Sequence, residues 1–365
     1  MKKQDTFLFL LIGCMLSFCP ALTGCADDVD SDDVDTDTQL QNDTASHQQN
    51  DTASHQQNDT GSQQPNDTGS QQPTDTGTCT GTGVDSTVIH VGHTQGTLED
   101  VPDSAIELAK QNLHIVYQHT SHGSQLISGM EALMSYPAFG DLYTFSDDGS
   151  TGLDIDDYGI DAEVDDLSQG DSVDANGVTP WAVGTRALLD NPDNAHVNVV
   201  IWSWCSIDGH DAQRYVDNME MLIAEYPHIQ FVFMTGHSQG QGEDLTENGV
   251  HYNNQLIREH CRTHQRILYD FADIEAYNFE GEYFWSANML DNLDYDGGNW
   301  GVEWIQNHPQ DVFSLLTTGE GIDGFSGPAS CAHSDSPTEA RINCVKKAAA
   351  AWYLFARLAG WTPGS

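Results

Sequence analysis

The chain has 365 residues, with 12 Lys plus Arg against 56 Asp plus Glu and a formal net charge of −44. Nucleic-acid affinity depends on cationic contacts to phosphate, so this balance argues against a nucleic-acid partner and disfavours docking on anionic lipid surfaces. It fits a domain in a salty exterior, where repulsion among carboxylates is screened.

The chain opens with MKK, continues with an apolar run over residues 7–18 and reaches LTGC at residues 22–25. A charged start, a short apolar stretch and small residues before a cut site form an export signal. The run is too short to cross a bilayer. LTGC resembles the bacterial lipobox. That resemblance implies removal of residues 1–24 and lipidation of Cys25, a membrane contact through an N-terminal lipid. Several acyl chains on one residue anchor stably, since each buried methylene adds about 0.8 kcal/mol. Ala26 stands where retention in the inner membrane is associated with Asp, so the resemblance points to the outer membrane of a bacterial envelope.

Residues 25–84 read as an acidic flexible linker. ADDVDSDDVDTDTQ is nearly free of large apolar residues, and NDTASHQQ then repeats from Asn42 and Asn50, with NDTGSQQP from Asn58 and Asn66. Such a composition cannot bury enough apolar surface to offset the entropy of ordering. A random coil of this length spans roughly 40 Å. The stalk is followed by a single large domain, 85–365, long enough for a substantial core.

Cysteine use agrees with export. Cys14 and Cys19 leave with the signal, which leaves Cys79, Cys205, Cys261, Cys331 and Cys344 beside Cys25. An odd number means that at least one is free or pairs elsewhere. Cys331 and Cys344 flank His333, and a disulfide is expected there. Closing so short a loop is worth roughly 3 kcal/mol on the loop-entropy model. Cys205 and Cys261 are read as buried thiols or a second bridge.

The elements follow in chain order. Residues 113–118 (LHIVYQ) predict a strand and 125–136 a helix. Between 137 and 192 the rhythm is lost in an Asp- and Gly-rich insertion. This reads as a solvated acidic loop, with a calcium site as the alternative, although the EF-hand order of ligands is absent. Residues 197–204 (VNVVIWSW) form a continuous apolar run, as expected of a strand covered on both faces. Residues 212–226 are helical, 229–236 a buried strand, 253–264 helical and 266–274 a strand. Residues 339–361 form a long Ala-rich helix. Alternating strands and helices predict an α/β fold: a central, mostly parallel sheet with helices on both faces. Ligands in such sheets bind beyond the carboxyl ends of the strands. His119, Ser121, His122 and Ser124 sit at such an end, as do SWCSIDGH and TGHSQG.

The order of these motifs resembles the SGNH, or GDSL-type, hydrolase superfamily over most of 113–361. The resemblance implies a flavodoxin-like three-layer sandwich. HTS at 119–121 stands where that family has Gly-Asp-Ser, which makes Ser121 the nucleophile. LSQGDS places Gly170 as the glycine of the second block. Cys205 falls where the family's oxyanion-binding Asn is expected, and SCAHS supplies His333 as the general base. Two departures are clear: Cys205 for Asn, and Ser330 for the Asp of the last block.

A serine hydroxyl becomes nucleophilic when an imidazole takes its proton, and the imidazole needs an orienting acceptor. Asp335 or a backbone carbonyl is available for that task. Cys205 is a poor oxyanion donor, so the N–H groups of Ser121 and Gly170 gain importance, with His119, His122 or His237 as side-chain donors or substrate-binding groups. Ser124 is expected to cap the following helix. Asp270 reads as a structural strand-end carboxylate, and Trp202 and Trp204 as packing residues. The implied activity is ester hydrolysis on a small-molecule or carbohydrate ester, including carbohydrate deacetylation, with no cofactor. The alternative is a surface-binding lipoprotein that keeps the fold and has lost turnover. A metal site built from His119, His122, His237 and His333 matches no zinc spacing, and no metal is expected.

Overall fold

The computed structural model describes residues 88–364 apart from residue 171. The signal, Cys25 and the repeat-bearing linker lie outside the described residues. The domain opens with strand β1 (His90–Val91) and helix α1 (Asp103–Asn112), followed by β2 (His114–Gln118), α2 (Ser124–Ser135), β3 (Phe145–Ser146) and β4 (Leu153–Asp157). Next come α3 (Pro180–Asp190), β5 (Val199–Trp202), α4 (Ala212–Glu225), β6 (Gln230–Met234) and α5 (Val250–His264). β7 (Ile267–Tyr269), α6 (Phe271–Ala276), the hairpin β8 (Asp294–Tyr295) and β9 (Gly298–Asn299), α7 (Trp300–Asn307), α8 (Val312–Thr318) and α9 (Ile342–Leu358) complete it.

Seven strands form one sheet in the order β1-β7-β6-β5-β2-β4-β3, and every pairing in it is parallel. The residues of β5 are all buried, and so are all but the first of β2 and of β6. This is why these strands read as unbroken apolar runs rather than alternations. Right-handed crossovers fix which face each helix takes. From β2 the chain moves outward to the edge strand β3, returns to β4, crosses back over β2 to β5 and continues through β6 to β7. Helices therefore flank the sheet on both sides: α1, α2, α6 and α8 gather on α9, while α3, α4 and α5 pack in sequence.

α2 packs closely on α9. A Cβ on Gly129 would lie 2.0 Å from the Cys344 carbonyl oxygen and 2.8 Å from the Ala348 Cβ. The Ala run of α9 and the missing side chain at Gly129 allow that approach, and α9 is buried along almost its whole length, Lys346 and Lys347 included.

Three expectations change. The 137–192 stretch does not interrupt the fold: it supplies β3, β4 and α3. Leu153 and Ile155 of β4 are buried, and the intervening aspartates hid the strand from a reading based on apolar runs. The strand expected over 266–274 is only Ile267–Tyr269. Asp270 ends it by accepting the Asp273 N–H at 3.1 Å as the cap of α6 and pairing with Arg258 at 2.6 Å. Ser124 is not a helix cap, because its Oγ donates back to the Ser121 carbonyl at 2.6 Å.

Candidate active site

β2 delivers the turn 119–123 to the carboxyl edge of the sheet. His119 is buried. Its Nε2 faces Asp157 Oδ1 at 2.6 Å, at the end of the neighbouring β4, and its Nδ1 faces the Thr120 carbonyl at 2.9 Å. Both ring nitrogens are thus occupied in holding the turn to the sheet. Thr120 Oγ1 donates to Asp166. Gly123 is required by space: a Cβ there would lie 2.3 Å from both the His119 Cβ and Ser203 Oγ.

The turn projects His122 into a stack of imidazoles. His122 lies 3.5 Å from His237, nearly parallel at 7°, and 4.1 Å from His333 at 6°. Rings that close cannot share a face, so His122 is sandwiched between the other two. Its Nε2 donates to Asp291 Oδ2 at 2.8 Å. His237 follows β6 and donates Nδ1–H to the Ser238 carbonyl at 2.8 Å. That bond fixes the tautomer and leaves a lone pair on Nε2, a buried atom with no hydrogen-bond partner. Burial, reinforced by the neighbouring His333 and Lys347, holds His122 well below the usual histidine range. Burial and the adjacent His122 push His237 down to about 3. Both rings are therefore neutral at neutral pH.

A buried polar network fixes the stack from below. Glu275 accepts the Ser238 N–H at 2.6 Å and pairs with Lys347 at 2.6 Å, both side chains fully buried. Lys347 also donates to Gln125 Oε1, and Gln125 donates to the Ala332 carbonyl at 2.5 Å. Ser334 Oγ and Asn343 Nδ2 both donate to the Asp291 carbonyl, at 2.6 and 3.0 Å. The residues on either side of His333 are thus tied down, and the Cys331–Cys344 disulfide closes its loop onto α9. His333 itself has φ +62°, a left-handed conformation that a non-glycine residue holds only when its surroundings impose it.

The expected site residues divide. His122, His237 and His333 converge, and Ser121 is the half-buried neighbour of His122. Among the described residues Ser121 Oγ has no hydrogen bond, to His333 or to any other group. Gly170 spends its N–H on the Leu167 carbonyl at 3.3 Å and packs against Trp181. Cys205 is disulfide-bonded and its sulfur lies 3.8 Å from His122 Nδ1. A disulfide sulfur has no proton to donate, so Cys205 does not serve as a thiol donor. Its N–H and that of Ser206 both donate to Ser168 Oγ at 2.9 Å. Cys261 is a buried free thiol. Asp335 does not orient His333: it accepts from the Cys331 N–H at 2.9 Å and from Arg341 at 2.7 Å. Trp202 and Trp204 are buried packing residues whose indole N–H groups bond Thr185 and the Met234 carbonyl.

Asp291, Glu275, Lys347, Gln125 and Asn343 were not foreseen. Their only signal was charge or amide inside otherwise apolar or irregular stretches. Two cavities, of about 500 and 510 Å³, contain none of the stacked histidines in their walls. The stack is a compact polar centre, opening where Asp291 and His333 reach solvent. Comparison with family models, curated proteins and solved structures found no match.

Proposed function

We propose that the chain is an exported, lipid-anchored serine hydrolase that cleaves small-molecule or carbohydrate esters through Ser121 and His333. One observation carries this reading. The five central strands, numbered from β2 in chain order, stand 2-1-3-4-5 across the sheet, the flavodoxin-like order, so β2 lies where the direction of winding reverses. Ligands of doubly wound sheets bind at that switch point. The turn carrying Ser121 and His122 emerges there, and β6 and the loop before α9 bring His237 and His333 to the same place.

In this mechanism His333 takes the Ser121 proton as the hydroxyl attacks the ester carbonyl, forming an acyl-enzyme that water then hydrolyses. The hydrogen bond between nucleophile and base closes on substrate binding, as such bonds often do. His122, held by Asp291, is a positioning residue that sets the plane of His333. The N–H groups of Ser121 and His122 meet no acceptor among the described residues and are available to an oxyanion. The anchoring part of the proposal rests on residues 1–25 of the sequence. Membrane association that survives Cys25→Ala would contradict it.

Hydrolysis of an aryl acetate by the full chain, lost in Ser121→Ala and retained in Ser124→Ala, tests the reaction. The open hydrogen bond of Ser121 favours a second reading, a binding lipoprotein without turnover. Saturable binding of an ester with no hydrolysis would select it.

A further inference from the structure

We propose that His122, His237 and Asp291 form a binding site for a divalent first-row transition ion, with zinc as the fitting probe. One nitrogen or carboxylate oxygen from each lies within 4.8 Å of the others, with both histidines buried and Asp291 partly open. Two imidazoles and a carboxylate are a donor set for zinc and its neighbours rather than for calcium or magnesium, which prefer oxygen alone. The proposal shares His122 and Asp291 with the hydrolase reading but does not require its reaction.

His237 stands with Nδ1 4.0 Å from Asp291 Oδ2, and its other nitrogen, Nε2, is the proposed ligand. Its Nδ1–H bonds the Ser238 carbonyl at 2.8 Å, while its Nε2 is buried without a partner. Histidines that ligate metals commonly donate the other ring N–H to a backbone carbonyl, which orients the lone pair toward the ion. A buried polar atom left unpaired is costly unless something else satisfies it. The support around the site has the same character. Ser238 is held through its N–H by Glu275, and Asp291 through its carbonyl by Ser334 and Asn343. The backbone on which two of the ligands are mounted is therefore fixed by bonds outside the ligand set.

The stacking of His122 on His237 sets a condition. Parallel rings 3.5 Å apart hold their lone pairs in separate planes, and no one point lies in both. A bound ion requires one ring to tilt out of the stack. His237 is pinned at Nδ1, so in the proposal His122 is the ring that turns: its Nε2 proton passes to Nδ1 through solvent, and its hydrogen bond to Asp291 gives way to a shared ion. Loading therefore unstacks His122 from His333 as well, and the ring signals of all the stacked histidines should shift together.

The test is calorimetric titration of the chelator-stripped full chain with Zn²⁺, compared with His237→Gln and Asp291→Asn. The expected result is one saturable equivalent whose affinity falls at least about tenfold in each variant, with circular dichroism unchanged. Asp291→Asn keeps the side-chain shape and an acceptor for His122, so it serves if His237→Gln fails to fold. The absence of saturable zinc, or an affinity unaltered in the folded variants because other histidines hold the ion, overturns the proposal. Ester hydrolysis is measured separately. A chain that binds zinc at this site but lacks turnover in its metal-free form contradicts the hydrolase reading alone.

Discussion

His122 donates its Nε2 proton to Asp291 Oδ2 at 2.8 Å, joining residues 169 positions apart. The sequence offers Asp335 as the nearer carboxylate, but that group is bound to Arg341. In the proposed mechanism Asp291 holds His122, and His122 in turn stacks on His333. Asp291→Asn should lower kcat for an aryl ester on the order of 100-fold while leaving KM little changed. Asp335→Ala should leave kcat nearly intact and reduce stability. The reverse pattern in steady-state kinetics would return the orienting role to Asp335.

The Lys347–Glu275 pair is fully buried, and burial lowers the Lys347 pKa while Glu275 opposes that shift. Removing one partner strands the other charge. Glu275→Gln should cost about 3–5 kcal/mol in urea unfolding at pH 7. A loss within experimental error would mean that Lys347 is satisfied without Glu275.

Gly129 tests the approach of α2 to α9. Its missing Cβ would stand 2.0 Å from backbone, which cannot swing aside as a side chain does. Gly129→Ala should destabilise the domain by about 1–3 kcal/mol, despite alanine's better helix propensity. A stabilised variant would show that the helices sit farther apart.

The legible part of the fold was the part with uniform covering. β2, β5 and β6 are buried on both faces and read as apolar runs, and α4 shows an apolar stripe. β4 was missed because Asp154, Asp156 and Asp157 interleave its buried Leu153 and Ile155. At the site, His122, His237 and His333 were visible as polar residues at strand ends or beside the expected disulfide. Asp291 lies in an irregular stretch before a short hairpin, where no periodicity marks it. Lys347 looked like one face of an Ala-rich helix, and only the packing of α2 and α6 around α9 shows that this face is internal.

The neutral histidines predict a pH dependence of stability. His237 is held down to about 3 in the folded chain, and His122 is also lowered, against an ordinary value of 6.5. Between about 3 and 6.5 the His237 ring binds more protons in the unfolded chain than in the folded one. The His237 contribution is complete above about pH 6.5 and declines as pH falls toward 3, on the order of 1 kcal/mol per pH unit, and His122 acts in the same direction. His237→Gln should flatten the decline seen in denaturant unfolding between pH 6.5 and 4.5, relative to wild type. Equal slopes in the two proteins would mean that His237 is readily protonated in the native state.

In the proposed mechanism Ser121, at the switch point of the sheet, is the nucleophile. The most direct measurement is labelling of the full chain with a fluorophosphonate, followed by digestion and sequencing of the modified peptide. The expected result is a single stoichiometric adduct on Ser121, abolished in Ser121→Ala and strongly slowed in His333→Ala. An adduct on Ser124 or another serine, or no adduct on a folded chain, would contradict it.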